Sequence, residues 1–216
     1  MIFYVIDNLI SEPVVTILSL LAFCGSLVIC ITIHEFSHAF AASTLGDQTA
    51  RRMGRLTLNP KAHLDPLGTL LIFFAGFGWG KPTPVNPYNV HRGPRIGMTL
   101  IALAGPVSNL FLALASAVLL KLLIPDITLV KVFIYHLIHW NLVLAVFNMI
   151  PLAPLDGFKF LVGAVPVNLT YHIQITERFG PFILLGIVFS DSILGTAILS
   201  RTISPVVTFL ERALLG

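Results

Sequence analysis

The sequence predicts an all-α polytopic membrane protein, one helix bundle of about four to six spans. Three observations carry this reading. Hydrophobic residues make up 56% of the 216 and charged residues 11%, against about 25% charged in a soluble domain. Mean hydropathy is +0.91. Runs without Asp, Glu, Lys or Arg recur at 14–33, 96–120 and 132–155, each long enough to cross a bilayer as a helix. Such a chain cannot cover a soluble globule with polar surface. Its 14 Pro and 16 Gly are scattered without period, which excludes collagen-like and disordered chains. The length implies a single domain over 1–216. The net charge of +3 speaks to topology, and no nucleic-acid partner is expected.

The first element is a long helix. It opens after Pro13, runs through the apolar stretch 14–33 and continues to about Gly46, longer than one bilayer requires, so it tilts or emerges at its C-terminal end. Cys24 and Cys30 lie on nearly opposite faces of it and are expected to pack, not to bridge. Ahead of it, Asp7 and Glu12 stand where a secretory leader carries basic residues, so no cleavable leader is expected. Residues 47–65 turn polar, and the alternation over Met53–Leu58 predicts a short strand or hairpin. Residues 66–78 are apolar but short, which suits a re-entrant segment or short helix. Residues 81–87 form a proline-punctuated extended loop. The second clear span covers 96–120 and contains Gly105-Pro106; after a turn between Lys121 and Lys131 the third covers 132–155, breaking at Pro151 and Pro154. A fourth span is expected over 179–199, with Asp191 inside it, and a short terminal helix over 204–216. Seven of the 13 Lys and Arg lie between the first and second clear spans, which predicts a cytoplasmic location for that region provided that residues 66–78 do not cross the bilayer.

The chemistry concentrates in His34-Glu35-Phe36-Ser37-His38, an H-E-x-x-H pattern on a helix. Residues i and i+4 lie about 40° apart on the wheel and one turn apart along the axis, so both imidazoles can reach one ion. A catalytic zinc takes three protein ligands and leaves a position for water, and the adjacent Glu35 is placed to act as general base. A Glu flanked by two His at the end of an uncharged span is costly to insert, about 2–3 kcal/mol or more. The alternative is a pair of hydrogen-bonded histidines with Glu35 reaching the interface. Asp156 is the best third ligand, an acid on broken backbone where a buried cavity is expected; it could instead cap the segment starting at Gly157.

The sequence resembles the site-2 protease family of intramembrane zinc metalloproteases, in the small subgroup without an inserted PDZ domain. The resemblance rests on the H-E-x-x-H pattern, Gly54-Arg55-Leu56-Thr57-Leu58-Asn59-Pro60, Gly105-Pro106-Val107-Ser108-Asn109, and the run from Asn148 to Asp156-Gly157. It implies one Zn2+ per chain held by His34, His38 and Asp156, with Glu35 as base. It also implies that Asn148 lies near the scissile peptide, holding substrate or stabilising the oxyanion; by spacing alone, Asn148 could equally join helices. Phe158 after Asp-Gly departs from the small residue common in the family.

A scissile peptide must be extended, because a helix hides its carbonyls. The strand expected at 51–59, with Arg55 and Thr57, offers an edge to such a substrate, and the loop at 81–86, with Pro82, an opposing clamp whose prolines lack donors. Substrates are expected to be single-span membrane proteins, cleaved towards the cytoplasmic side of the lipid bilayer. Two other classes use the same residues: a metal-ion carrier, which favours polar groups recurring along several spans, and a non-catalytic relative that binds membrane proteins. His63 is expected to order its loop, His136 and His139 to make interhelical hydrogen bonds, and Asp191 to serve as a local cap.

Overall fold

A computed structural model describes residues 12–75, 78–122 and 128–216 of the chain. The N-terminal stretch with Asp7 and most of the turn between Lys121 and Lys131 lie outside these residues. Among them, three helices are long and apolar enough to cross a membrane: α1 (Pro13–Thr44), α4 (Pro94–Leu122) and α5 (Thr128–Asn148). Between α1 and α4 lie α2 (Thr49–Arg52) and α3 (Pro66–Ala75). After α5 come α6 (Asp156–Ala164), α7 (Val167–Thr176), α8 (Gly180–Phe189) and α9 (Ile198–Leu215).

The three long helices pack on one another, α6 lies against α4, and α9 against α5. Small residues make this approach possible. Helix α4 buries Ala102, Gly105, Asn109, Ala113, Ser116 and Ala117, a stripe at helical spacing that lets backbones come close. Large apolar side chains such as Leu21, Phe111, Leu114 and Val118 stay exposed, the arrangement a hydrocarbon solvent permits. The apolar core joins Ala113 and Ala117 of α4 to Ile134, Ile138 and Leu142 of α5 and Val207 of α9. Cys24 and Cys30 are both free thiols.

Two sequence expectations are corrected. The strand at 51–59 does not form. Asp47 accepts the Thr49 N–H and hydroxyl at 3.0 and 2.6 Å, which nucleates α2 in its place. Gly54, at φ +69°, then reverses the chain so that the Arg55 N–H returns to the Ala50 carbonyl at 2.8 Å. Among the described residues the only β pairing is an isolated bridge between Leu64 and Gly80. The fourth span over 179–199 is also interrupted. Helix α8 has ten residues and gives way to one wide turn over Ser190–Leu194. Asp191 causes the break: its carboxylate accepts the Ile198 and Leu199 N–H groups at 2.6 and 2.8 Å and caps α9, as its neighbours suggested. The expected terminal helix is longer than read, beginning at Ile198. The segment after Pro66 is the short helix expected.

Candidate active site

The H-E-x-x-H residues sit in the C-terminal third of α1, where α4 and the start of α6 close on it. His34, His38 and Asp156 are all buried. Their ligating atoms converge: His34 Nε2 and His38 Nε2 are 3.0 Å apart, and Asp156 Oδ2 lies 3.1 Å from the first and 3.0 Å from the second.

The opposite edge of each ring determines what these atoms are. His38 Nδ1 lies 2.7 Å from the Ile101 carbonyl, which can only accept. His34 Nδ1 lies 2.7 Å from Asn109 Oδ1. The Asn109 amide is oriented by its own donations, to the Cys30 carbonyl at 3.2 Å and to Asn141 Oδ1 at 2.7 Å. Asn141 in turn donates to the Leu137 carbonyl. Both rings therefore carry their proton on Nδ1, and in the neutral rings each Nε2 presents a lone pair. Two lone pairs and a carboxylate oxygen face one another at about 3 Å, an arrangement that repels itself unless a cation stands among them. The separations fall a little short of the edge of a tetrahedron with zinc–ligand bonds of 2.0–2.2 Å, about 3.3–3.6 Å.

Gly105 completes the cradle. A Cβ there would lie 2.4 Å from His38 Nε2 and 2.7 Å from His34 Nε2, inside the ligand sphere. The other carboxylate oxygen of Asp156 faces Lys159 Nζ at 3.7 Å. Asp156 is the first residue of α6, and the helix has no side-chain cap at its N-terminus, so the carboxylate serves the cluster and not the helix end.

Glu35 is bonded to a strap formed by residues 80–91. The Thr83 N–H donates to Glu35 Oε2 at 2.8 Å, and the Thr83 hydroxyl, 2.7 Å from the same oxygen, is also 3.0 Å from the Glu35 carbonyl. The strap is tied at both ends. Near its start, the Lys81 N–H donates to the His63 carbonyl at 2.7 Å and the Lys81 carbonyl accepts from Arg55 Nη2. Further along, fully buried Asp47 accepts the Asn86 N–H at 2.7 Å and the Asn89 amide at 3.2 Å. Burial opposes the charge on Asp47, but the bonds from Thr49, Asn86 and Asn89 hold its carboxyl below the usual carboxylate range.

His34, His38 and Asp156 are thus brought together and Glu35 sits beside them. The other candidates stand elsewhere. Asn148, the last residue of α5, donates to the Leu144 carbonyl of its own helix at 3.0 Å. Arg55 is buried and holds the strap. The Thr57 carbonyl pairs with His63 Nε2 at 2.7 Å, which makes fully buried His63 a loop-ordering residue. Pro82 is exposed on the strap. His139 pairs with Glu211 of α9 at 2.7 Å, the interhelical bond expected. Three residues that position the site were not singled out from the sequence, Asn141, Asp47 and Thr83, and Asn109 entered only as the last residue of the Gly105–Asn109 motif, without a role. The signal for the two asparagines was present, since an amide inside an apolar span needs partners.

Comparison with known proteins agrees with this centre. The chain is 42% identical over 168 residues to "Putative zinc metalloprotease YwhC" of Bacillus subtilis, covering 74% of this chain and 76% of that protein. It is 33% identical over 152 residues to "Putative zinc metalloprotease Rip2" of Mycobacterium tuberculosis, covering 65% of this chain and 59% of Rip2. A third relative, MJ0611 of Methanocaldococcus jannaschii, is 37% identical over 95 residues, 44% of this chain and 49% of that protein. No family model and no solved structure matches the chain. A membrane-embedded helix bundle with a two-histidine, one-carboxylate centre defines a membrane metalloprotease class. The chain belongs to the site-2 protease family of zinc metalloproteases.

Proposed function

We propose that the protein is an intramembrane zinc endopeptidase that hydrolyses peptide bonds in or near the transmembrane segments of single-span membrane proteins, at the cytoplasmic side of the bilayer. The observation that carries this reading is the convergence of three lone-pair atoms of His34, His38 and Asp156 at a membrane-spanning helix, next in sequence to a carboxylate, Glu35, that takes no part in the cluster.

His34, His38 and Asp156 would hold one zinc per chain, leaving a fourth position open. Zinc bound there supplies a polarised carbonyl and a water whose pKa falls towards about 7. The chain's own residues do the rest. Glu35 accepts the proton of the attacking water and returns it to the leaving amine. Asn109 and the Ile101 carbonyl keep both Nδ1 protons in place, so the imidazoles stay in the ligating tautomer. Lys159 balances the outer oxygen of Asp156. Asn148 would reach substrate only by releasing the Leu144 carbonyl. Arg55 and Thr57 would act through the strap, and exposed Pro82 is the member of that set open to direct contact with substrate. Cytoplasmic sidedness is supported by the six basic residues between α1 and α4, the segment that carries the strap.

The test pairs metal content with cleavage. Wild type and Glu35→Gln are purified in detergent, zinc is counted, and a panel of single-span substrates is offered. About one zinc per chain in both, with cleavage by wild type alone, is expected. Equal cleavage by Glu35→Gln would overturn the assignment of the base.

A further inference from the structure

We infer that the strap of residues 80–91 is the positioning element of Glu35, with Thr83 as its contact. The inference rests on the reading of Glu35 as the base and adds what holds it.

Three observations converge. First, the Thr83 N–H donates to Glu35 Oε2, and the Thr83 hydroxyl lies 2.7 Å from the same oxygen and 3.0 Å from the Glu35 carbonyl. A glutamate side chain has three rotatable bonds and rich rotamer freedom, so its carboxylate points usefully only if something outside the helix fixes it. Nothing on α1 does this; the fixing donors come from 48 residues further along the chain.

Second, the donors of the strap face inward. Lys81 N–H goes to His63, Thr83 N–H to Glu35 and Asn86 N–H to Asp47, while Pro82, Pro84 and Pro87 have none. A segment offering so few donors is poorly made to pair as a strand with substrate and well made to hold a carboxylate.

Third, the strap is anchored on both sides of Thr83 by buried groups with no part in ligation. Arg55 and His63 secure the start and Asp47 secures the end. Val90 then packs with Ala42 of α1 and Ile101 of α4, the two helices that carry the histidines and their orienting carbonyl. The strap is therefore registered to the same backbone that sets the ligand cluster. With Oε2 occupied, Oε1 is the oxygen left to take a proton.

The experiment uses the full chain in detergent and has two arms. In the first, kcat, KM and zinc content are measured for wild type, Thr83→Ser, Thr83→Ala and Thr83→Val on a single-span substrate. Losing a hydrogen bond to a charged group lowers kcat about tenfold in Thr83→Ala and Thr83→Val. KM and zinc stay near wild type, and Thr83→Ser restores kcat. A merely structural role for the hydroxyl would not separate kcat from KM and zinc in this way. The second arm needs no activity. The Thr83 amide is followed by hydrogen exchange in isotope-labelled protein, and its exchange accelerates in Glu35→Ala because its acceptor is gone. Wild-type kcat in both Thr83→Ala and Thr83→Val overturns the inference, and so does unchanged exchange in Glu35→Ala. If wild type binds zinc but cleaves nothing, the reading of Glu35 as base fails, and the exchange arm still decides whether the strap holds it.

Discussion

The two halves of the molecule are held together by different means. From α1 to the start of α6, polar groups are buried and bonded: Asn109 and Asn141 link α1, α4 and α5 at membrane depth, and Asp47 and His63 tie the strap outside them. From α7 to α9 the helices are mostly short and few side chains are buried; beside local hydroxyl bonds such as Ser190 to Thr196 and Thr202 to the Ile198 carbonyl, the polar contacts include a cap at Asp191 and a half-exposed pair, His139–Glu211. Buried polar networks specify one arrangement, because each unmade bond in a low-dielectric interior is costly. Apolar contact alone tolerates sliding. The first half is built to hold atoms in place for chemistry; in the second, α9 packs against α5.

Substitutions in the first half should therefore act on metal and activity, and those in the second on neither. The largest effect is expected at Gly105. Its replacement by Ala puts a methyl within 2.4 Å of His38 Nε2; zinc occupancy should fall more than about tenfold, read by metal analysis after equilibrium dialysis. Retained zinc would mean that the ligand cluster relaxes more freely than its packing implies. Next comes Asn109→Ala, which frees the His34 ring to change tautomer. Zinc affinity should drop about 10- to 100-fold, with the protein still folded by circular dichroism.

Asp47→Asn sharpens the comparison, since it loosens the strap without touching a ligand. Replacing an acceptor oxygen with an amide nitrogen should cost about 2 kcal/mol at neutral pH. The sign with pH follows from the lowered Asp47 pKa. The charged form is favoured in the folded state, so its stabilisation is present above the unfolded value of about 3.9 and is lost as pH falls through the lower folded value. The Tm gap between wild type and Asp47→Asn should close below about pH 4; a constant gap would assign the effect to something other than the charge. The smallest effect is expected at Glu211→Gln. The pair it breaks is partly exposed, so stability should change by less than about 1 kcal/mol, with zinc content and cleavage unaltered. A loss of activity there would break the division between the halves.

The same division explains what the sequence made legible. The convergence of His34, His38 and Asp156 was readable because spacing on a helix is itself geometry: His34 and His38 share a face by periodicity, and Asp156 was marked by its place on broken backbone after an apolar run. The three long spans were readable because nothing but a membrane explains runs of that length. The expected strand at 51–59 was not formed because a local rule was outvoted. Alternation over Met53–Leu58 favoured β structure, while Asp47 offered the Thr49 N–H a cap and Gly54 turned the chain back. The span expected at 179–199 ended for a similar reason, since Asp191 gained more by capping α9 than by lying in an apolar helix. Thr83 and Asp47 were not readable at all. Each acts across 39 or more residues of chain, and nothing in a threonine between two prolines announces a carboxylate partner.

The central claim is that two imidazoles and one carboxylate form a single zinc site within the membrane bundle. X-ray absorption at the zinc edge on purified wild type, with zinc counted on the same sample, tests it most directly. The account predicts about one zinc per chain with two imidazole nitrogens and oxygen ligands near 2.0–2.2 Å and no sulfur. Protein that folds and purifies without metal, or a zinc shell containing sulfur or lacking imidazole, would contradict it.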